Sequence, residues 1–209
     1  MPKLIETADF LPAEWVQRIA CYEPAMVPSS RRQAAVMVAL APGNNGPEVL
    51  MTQRAHTLSS HAGEVSFPGG NIETNDSSLY HTALRETREE TQLQETPLYL
   101  GQLDSLYAKS GIEVAAFVSA LPERPLLSPC PEEVAEIFWV PLSVLLDQPP
   151  EYQWFERQGR QWRVPFFYHD GWTIWGMTGM ILVNLINVLS ESRWPSFHDE
   201  WASNPMDAD

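Results

Sequence analysis

The sequence predicts an α/β fold, and three observations carry that expectation. Two β-type apolar runs flank a turn cluster at residues 42–47 (PGNNGP), an apolar stripe of helical period runs through residues 77–92, and a second closes the body at residues 175–190. With 44% hydrophobic residues, eight Trp and eight Phe, the 209 residues can bury the core of one domain. Charged residues are only 19% and Pro numbers 18, which points to many turns around a compact core rather than to disorder.

Each element follows from its local pattern. Residues 8–20 read as a short amphipathic helix, and Pro24, Pro28, Ser29 and Ser30 mark the loop that ends a lead-in over residues 1–30. Gln33 to Ala41 and Glu48 to Arg54 should pair as a hairpin. Glu64 to Phe67 makes a short strand ending at Pro68-Gly69-Gly70, and Asp76 or Ser77 is the expected N-cap of a helix running to Gln92. On that helix Leu79, Ala83, Leu84, Thr87 and Leu93 mark the core side, with Thr82, Glu86, Glu89 and Glu90 towards the other. Strands are expected at 98–107, 112–121 and 134–140, the last stopped by Pro141, then a short helix at 143–147. Tyr152 to Glu156 and Trp162 to Phe167 flank a hairpin signal at Gln158-Gly159-Arg160. The helix at 175–190 presents Met177, Ile181, Leu185 and Leu189, ending a body over residues 31–191 before a Pro/Trp-rich tail at 192–209.

A formal charge of −14 argues against nucleic acid or an anionic membrane as partner. The start of the chain has neither the basic residues nor the apolar run of a secretory signal, and the run at 181–189 is broken by Asn184 and Asn187, so a cytoplasmic location is expected. Cys21 and Cys130 have no metal-ligand spacing and read as two reduced thiols.

The chemistry concentrates in Arg85-Glu86-Thr87-Arg88-Glu89-Glu90. Glu86 and Glu90 are an i, i+4 like-charge pair, with Glu89 in the same patch, and each such pair costs a few tenths of a kcal/mol. Most charge clusters are solvated helix faces. A hard divalent cation is the alternative, because Mg²⁺ takes carboxylate oxygens together with waters and substrate phosphates. Arg85 is placed to anchor a carboxylate or the preceding loop. Gly69 and Gly70, lacking Cβ, let the chain turn sharply and admit another backbone or a ligand.

This stretch resembles the Nudix box, G-x5-E-x7-R-E-U-x-E-E-x-G-U with U a bulky apolar residue: Arg85, Glu86, Glu89, Glu90 and Leu93 match. It departs from the box in a Gly70-to-Arg85 interval one residue longer, in Thr87 for the apolar U and in Gln92 for the late Gly. The coenzyme A diphosphatase branch carries such a longer loop, after a signature of the type LLTxR(S/A)x3Rx3Gx3FPGG. Residues 50–70 read LMTQRAHTLSSHAGEVSFPGG, matching at Leu50, Thr52, Arg54, Ala55, Gly63 and Phe67-Pro68-Gly69-Gly70, with Ser59 in place of the second Arg. Glu73 and Asp76 fall at the branch's two acidic loop positions, and Asp76 takes the place of the missing box Glu.

The resemblance implies a Nudix fold, with a mixed β-sheet sandwiched between helices, and a hydrolase of the diphosphate bond in coenzyme A or its thioesters. The implied products are adenosine 3',5'-bisphosphate and 4'-phosphopantetheine. It implies Mg²⁺ or Mn²⁺ held by Glu86, Glu89 and Glu90, and catalytic roles for Arg85, Glu86, Glu89 and Glu90, while Glu133 is a catalytic candidate from its position just before the expected strand at 134–140. Glu89, Glu90 and Glu133 are alternative general bases, against a plain loop carboxylate for Glu133. Arg54, His61, Gly69 and Gly70 are the substrate-side candidates, against a structural ion pair for Arg54 and a loop-ordering hydrogen bond for His61. Aromatic residues from Trp154 to Trp175 are weighed as core or as stacking partners for substrate. The partner is a small nucleoside diphosphate derivative, with a homodimer left open. Hydrolysis of ADP-ribose or dinucleotides, and a Nudix-like binding domain without turnover, are the alternative readings.

Overall fold

The computed structural model describes residues 8–27, 32–108, 111–157, 160–190 and 193–196. The chain enters through helix α1 (Ala13–Ala20), whose start at Ala13 is later than the pattern from residue 8 suggests because Pro12 takes the N-cap position. Strands β1 (Gln33–Gly43) and β2 (Gly46–Arg54) form the expected hairpin, their pairing running from Leu40↔Val49 to Gly43↔Gly46. After β3 (Val65–Ser66) and β4 (Gly69–Asn71) comes helix α2 (Leu79–Thr91). Then follow β5 (Leu98–Gln102), β6 (Leu106–Tyr107), β7 (Glu113–Ala120), β8 (Val134–Pro141), α3 (Leu142–Asp147), β9 (Glu151–Arg157), β10 (Arg160–His169), β11 (Trp172–Trp175) and α4 (Gly176–Leu189).

Among the described residues, β1–β8 form one sheet with the order β3-β2-β1-β7-β5, while β4 pairs β1, β6 pairs β7 and β8 pairs β2. The pairing of β1 with β7 is parallel and the others are antiparallel, so the sheet is mixed. Strands β11-β10-β9 make a separate antiparallel sheet. The mixed sheet is covered on both faces, which explains why β7 reads as an unbroken apolar run: all eight of its residues are buried. Ala35, Met37, Ala39 and Ala41 of β1 pack with Ala83 and Leu84 of α2, whereas Val38 and Leu40 pack with Ile19 of α1 and Ile181, Leu182 and Leu185 of α4.

Several elements depart from the sequence reading. The strand expected at 98–107 breaks at Leu103–Ser105, where Asp104 turns inward. Its carboxylate accepts from the Tyr22 hydroxyl (2.8 Å), the Ala25 N–H (2.7 Å) and the Asn184 amide (3.0 Å). This buried network fastens residues 22–25 to α4 and accounts for a polar residue, Asn184, on an otherwise apolar helix. Strand β8 does not stop before Pro141 but includes it, paired with Glu48. Among the described residues β8 pairs only with β2, and a missing N–H is tolerated at such an edge. The hairpin turn at Gln158-Gly159 and the tail beyond 196 lie outside the described residues. No helix among the described residues is long and apolar enough to cross a membrane.

Candidate metal and diphosphate site

Helix α2 is positioned at both ends by its own sequence. The cap is Ser78, not Asp76 or Ser77: its Oγ accepts from the His81 N–H at 3.1 Å. At the other end Gln92 adopts the left-handed conformation (φ 57°) and its N–H closes the last turn on the Arg88 carbonyl at 2.8 Å. Thr87 fills a fully buried slot because its hydroxyl is satisfied inside the helix, donating to the Ala83 carbonyl at 2.6 Å.

Asp76 has a different task. Its side chain is 1% exposed, and it receives Arg85 Nε (3.2 Å) and Nη2 (3.1 Å), the Thr82 hydroxyl (2.9 Å) and the Glu73 N–H (2.9 Å). These donors, the Arg85 guanidinium first, hold its carboxyl well below the usual range. Thr82 therefore lies inward and fully buried rather than on the polar side, because Asp76 gives its hydroxyl a partner. Arg85 also donates to the Asn71 carbonyl (Nη2, 3.0 Å) and to Glu89 Oε2 (Nη1, 2.8 Å), and its Nη2 forms an ion pair with Glu86 Oε1 at 3.0 Å. One guanidinium thus ties the loop after β4 to the acidic face of α2, and its pKa is pushed up, first by Asp76 and then by Glu86 and Glu89, against its burial.

The glycines bring the loop onto that face. Gly69 and Gly70 pair with Val36 and Ala35 of β1, and the Met37 N–H donates to the Pro68 carbonyl at 2.9 Å. A Cβ on Gly70 would overlap the Glu86 carboxylate. At Gly69, with φ 156°, a Cβ would overlap the Ala35 carbonyl oxygen and lie 2.7 Å from Val36 Cα. The Gly69 N–H donates to Glu90 Oε2 at 3.3 Å.

Glu133 reaches the same place from far along the chain. Val134, the first residue of β8, pairs with Arg54 at the end of β2, and the Ala55 N–H donates to the Glu133 carbonyl at 2.8 Å. The loop before it is held by the end of α2: the Ser128 N–H donates to the Thr91 carbonyl (3.0 Å) and the Cys130 N–H to the Glu90 carbonyl (2.9 Å). One carboxylate oxygen each from Glu86, Glu90 and Glu133 then lie within 4.8 Å of one another. Glu89 points elsewhere, 57% exposed and bonded to Arg85.

This cluster is electrostatically unfinished. Burial, then the neighbouring Glu86 charge, pushes Glu90 up to about 8, although Arg54 and the Gly69 N–H oppose the rise. Glu86 is also raised, chiefly by burial, with Arg85 opposing. A set of three hard oxygen donors, one deeply buried and reluctant to ionise, fits a divalent cation such as Mg²⁺ or Mn²⁺. Arg54 adds a second unsatisfied feature, for its Nε is buried without a hydrogen-bond partner. His61 stands apart on the 55–64 loop, 67% exposed, with Nδ1 2.8 Å from Glu64 Oε2.

The structure brings Arg85, Glu86, Glu90, Gly69 and Gly70 together at one end of the sheet; the sequence pattern put Thr82 on the polar face and gave no sign of the Asn71 carbonyl. Only the β2–β8 register brings Glu133 into the carboxylate cluster.

The profile of the NUDIX domain matches residues 31–162, and the chain belongs to the Nudix family with a Nudix fold. It is 39% identical over 165 residues to a protein of Photorhabdus laumondii named uncharacterized Nudix hydrolase NudL, a match covering 78% of this chain and 87% of that one. A protein of the same name from Enterobacter sp. is 33% identical over 188 residues, covering 87% and 96% of the two chains. Among solved structures, a MutT/nudix family protein from Enterococcus faecalis superposes with a TM-score of 0.53 at 18% identity, covering 96% of this chain and 77% of that one.

Proposed function

We propose that this Nudix hydrolase cleaves the diphosphate bond of coenzyme A or its thioesters, giving adenosine 3',5'-bisphosphate and 4'-phosphopantetheine. The observation that carries the reaction is the convergence of Glu86, Glu90 and Glu133 beside the Gly69-Gly70 turn. These three would hold Mg²⁺ or Mn²⁺, which when bound supplies charge neutralisation for the diphosphate and its attacking water. Arg85, fixed by Asp76, keeps Glu86 and Glu89 in place, and the buried Arg54 N–H suits an anionic oxygen of the substrate. Of the general-base candidates Glu89, Glu90 and Glu133, Glu89 is the one outside this metal-holding set, at the rim beside Arg85, where it can accept the proton of water.

The coenzyme A assignment rests on the signature of residues 50–70, which runs along β2 and returns through Gly63 to the glycine turn. Two of its members bond each other: the Gly63 N–H donates to the Arg54 carbonyl at 3.1 Å. The test is incubation with Mg²⁺ or Mn²⁺ and, separately, coenzyme A, ADP-ribose and a dinucleotide, with products resolved by chromatography. Preferential release of adenosine 3',5'-bisphosphate is expected. Preference for ADP-ribose or the dinucleotide would replace the substrate, and no hydrolysis of any would leave a binding domain. Glu86→Gln and Glu90→Gln should each lose most turnover with the fold intact; near-normal rates in both would remove the metal assignment.

A further inference from the structure

The third carboxylate of the candidate cation site arrives on a segment suspended from the helix that supplies the other two. A helix leaves its last carbonyls without partners inside itself, and at the end of α2 the left-handed Gln92 turns the chain off the helix axis. The carbonyls of Glu90 and Thr91 are taken up by the N–H groups of Cys130 (2.9 Å) and Ser128 (3.0 Å). Pro129, between those two donors, has no N–H to leave unpaired. Just upstream, Leu127 packs against the cluster that contains Leu84 and Leu93. Cys130 thereby joins two of the candidate ligands: its N–H donates to the Glu90 carbonyl, and its own carbonyl accepts the N–H of Glu133 (3.0 Å) and of Val134 (2.8 Å).

The bond from the Glu133 N–H to the Cys130 carbonyl closes a four-residue turn with Pro131 at its second position, where a proline ring fixes φ at the value the turn requires. The Glu133 carbonyl is held too, by the Ala55 N–H at 2.8 Å. An exposed side chain on a loop therefore springs from a backbone pinned on both sides. We propose that Pro131 is a positioning residue for cation binding, keeping the Cys130–Glu133 turn formed in the metal-free protein so that the Glu133 carboxylate stands ready beside Glu86 and Glu90. This role rests on the three-carboxylate cation site proposed above. Without the ring the turn becomes one of several conformations of the loop, and the entropy of ordering it then subtracts from the affinity for the cation.

The experiment is titration of the full chain with Mn²⁺ in the absence of substrate, free Mn²⁺ being followed by electron paramagnetic resonance. Pro131→Gly should weaken Mn²⁺ binding about threefold or more, and Pro131→Ala, whose backbone is less free than that of Gly, should weaken it less. Glu133→Gln should weaken binding in its own right. Adding Pro131→Gly to Glu133→Gln should change the affinity little further, because the turn then presents no carboxylate. Circular dichroism establishes that each variant is folded, and Pro131→Ala, alone and with Glu133→Gln, decides the matter if the glycine variant is not. Unchanged Mn²⁺ affinity in the folded Pro131 variants, or an equal loss with and without the Glu133 carboxylate, overturns the positioning role and leaves Pro131 to the fold alone. Glu133→Gln binding Mn²⁺ as tightly as wild type is a different failure: it removes Glu133 from the cation site, and the role of Pro131 falls with it.

Discussion

Replacing Glu90 by Gln separates the electrostatic cost of the site from its use. In the metal-free protein the Glu90 carboxyl is pushed from its ordinary 4.5 up to about 8. A carboxyl raised on folding stabilises the fold fully below 4.5, and that contribution is lost as pH rises through about 8. The interval corresponds to about 5 kcal/mol, with a slope of about 1.4 kcal/mol per pH unit. Gln keeps an acceptor for the Gly69 N–H, 3.3 Å from Glu90 Oε2, but has no charge to bury. Urea denaturation in EDTA, followed by Trp fluorescence, should therefore show wild type losing about 3 kcal/mol against Glu90→Gln between about pH 5 and pH 7.5. Mn²⁺ at about a thousand times its Kd should reverse the order near neutrality, since it then adds about 4.1 kcal/mol to the state that binds it. Parallel stability curves for the two proteins across pH would refute the buried, raised carboxyl. A Glu90→Gln variant stabilised by Mn²⁺ as much as wild type would refute its part in holding the cation.

The neighbouring residues give sharper contrasts. Gly70→Ala should cut turnover more than tenfold while costing little stability, because its Cβ displaces only the Glu86 carboxylate; Gly69→Ala, which meets backbone, should cost about 2 kcal/mol or more by thermal denaturation. Asp76→Asn removes the buried partner of Arg85 and should lower stability by about 2–3 kcal/mol. Because the Asp76 carboxyl is depressed by folding, its contribution is present above the ordinary 3.8 and falls away in acid; wild type should approach the variant in denaturation curves as pH drops below that value. Gln92→Gly should raise stability by about 1 kcal/mol by relieving a side chain from φ 57°, and an unchanged midpoint would argue against strain there.

Local pattern made the hairpin, α2 and α4 legible, since a turn cluster and a helical apolar stripe each report on neighbours a few residues apart. The misreadings come where a distant partner overrides that pattern. Asp76 looks like an N-cap because an acidic residue before a helix often is one, yet Arg85 nine residues on holds it, and Ser78 caps instead. Thr82 looks polar-facing until Asp76 supplies its hydroxyl with a partner inside. The strand at 98–107 breaks because Asp104 bonds Tyr22 and Asn184, some 80 residues away in each direction. Glu133 could be named from the chain alone, but its arrival beside Glu86 and Glu90 depends on the β2–β8 register and on a loop hung from the carbonyls at the end of α2.

The fold answers the repulsion within α2 unevenly, and the unevenness carries the argument for a cation. Glu89 is answered by Arg85 and left in solvent, where the pair is screened. Glu86 shares the same guanidinium, whose Nε and Nη2 already bond the buried Asp76. Glu90 is the most deeply buried of the three and has only the Gly69 N–H and the electrostatic influence of Arg54. Among the described residues six carboxylates, counting Glu133, Asp76 and Glu73, thus face two guanidiniums at one end of the sheet. Had stability alone shaped this site, a neutral residue at position 90 would serve better; the proposed cation gives the charge there its reason.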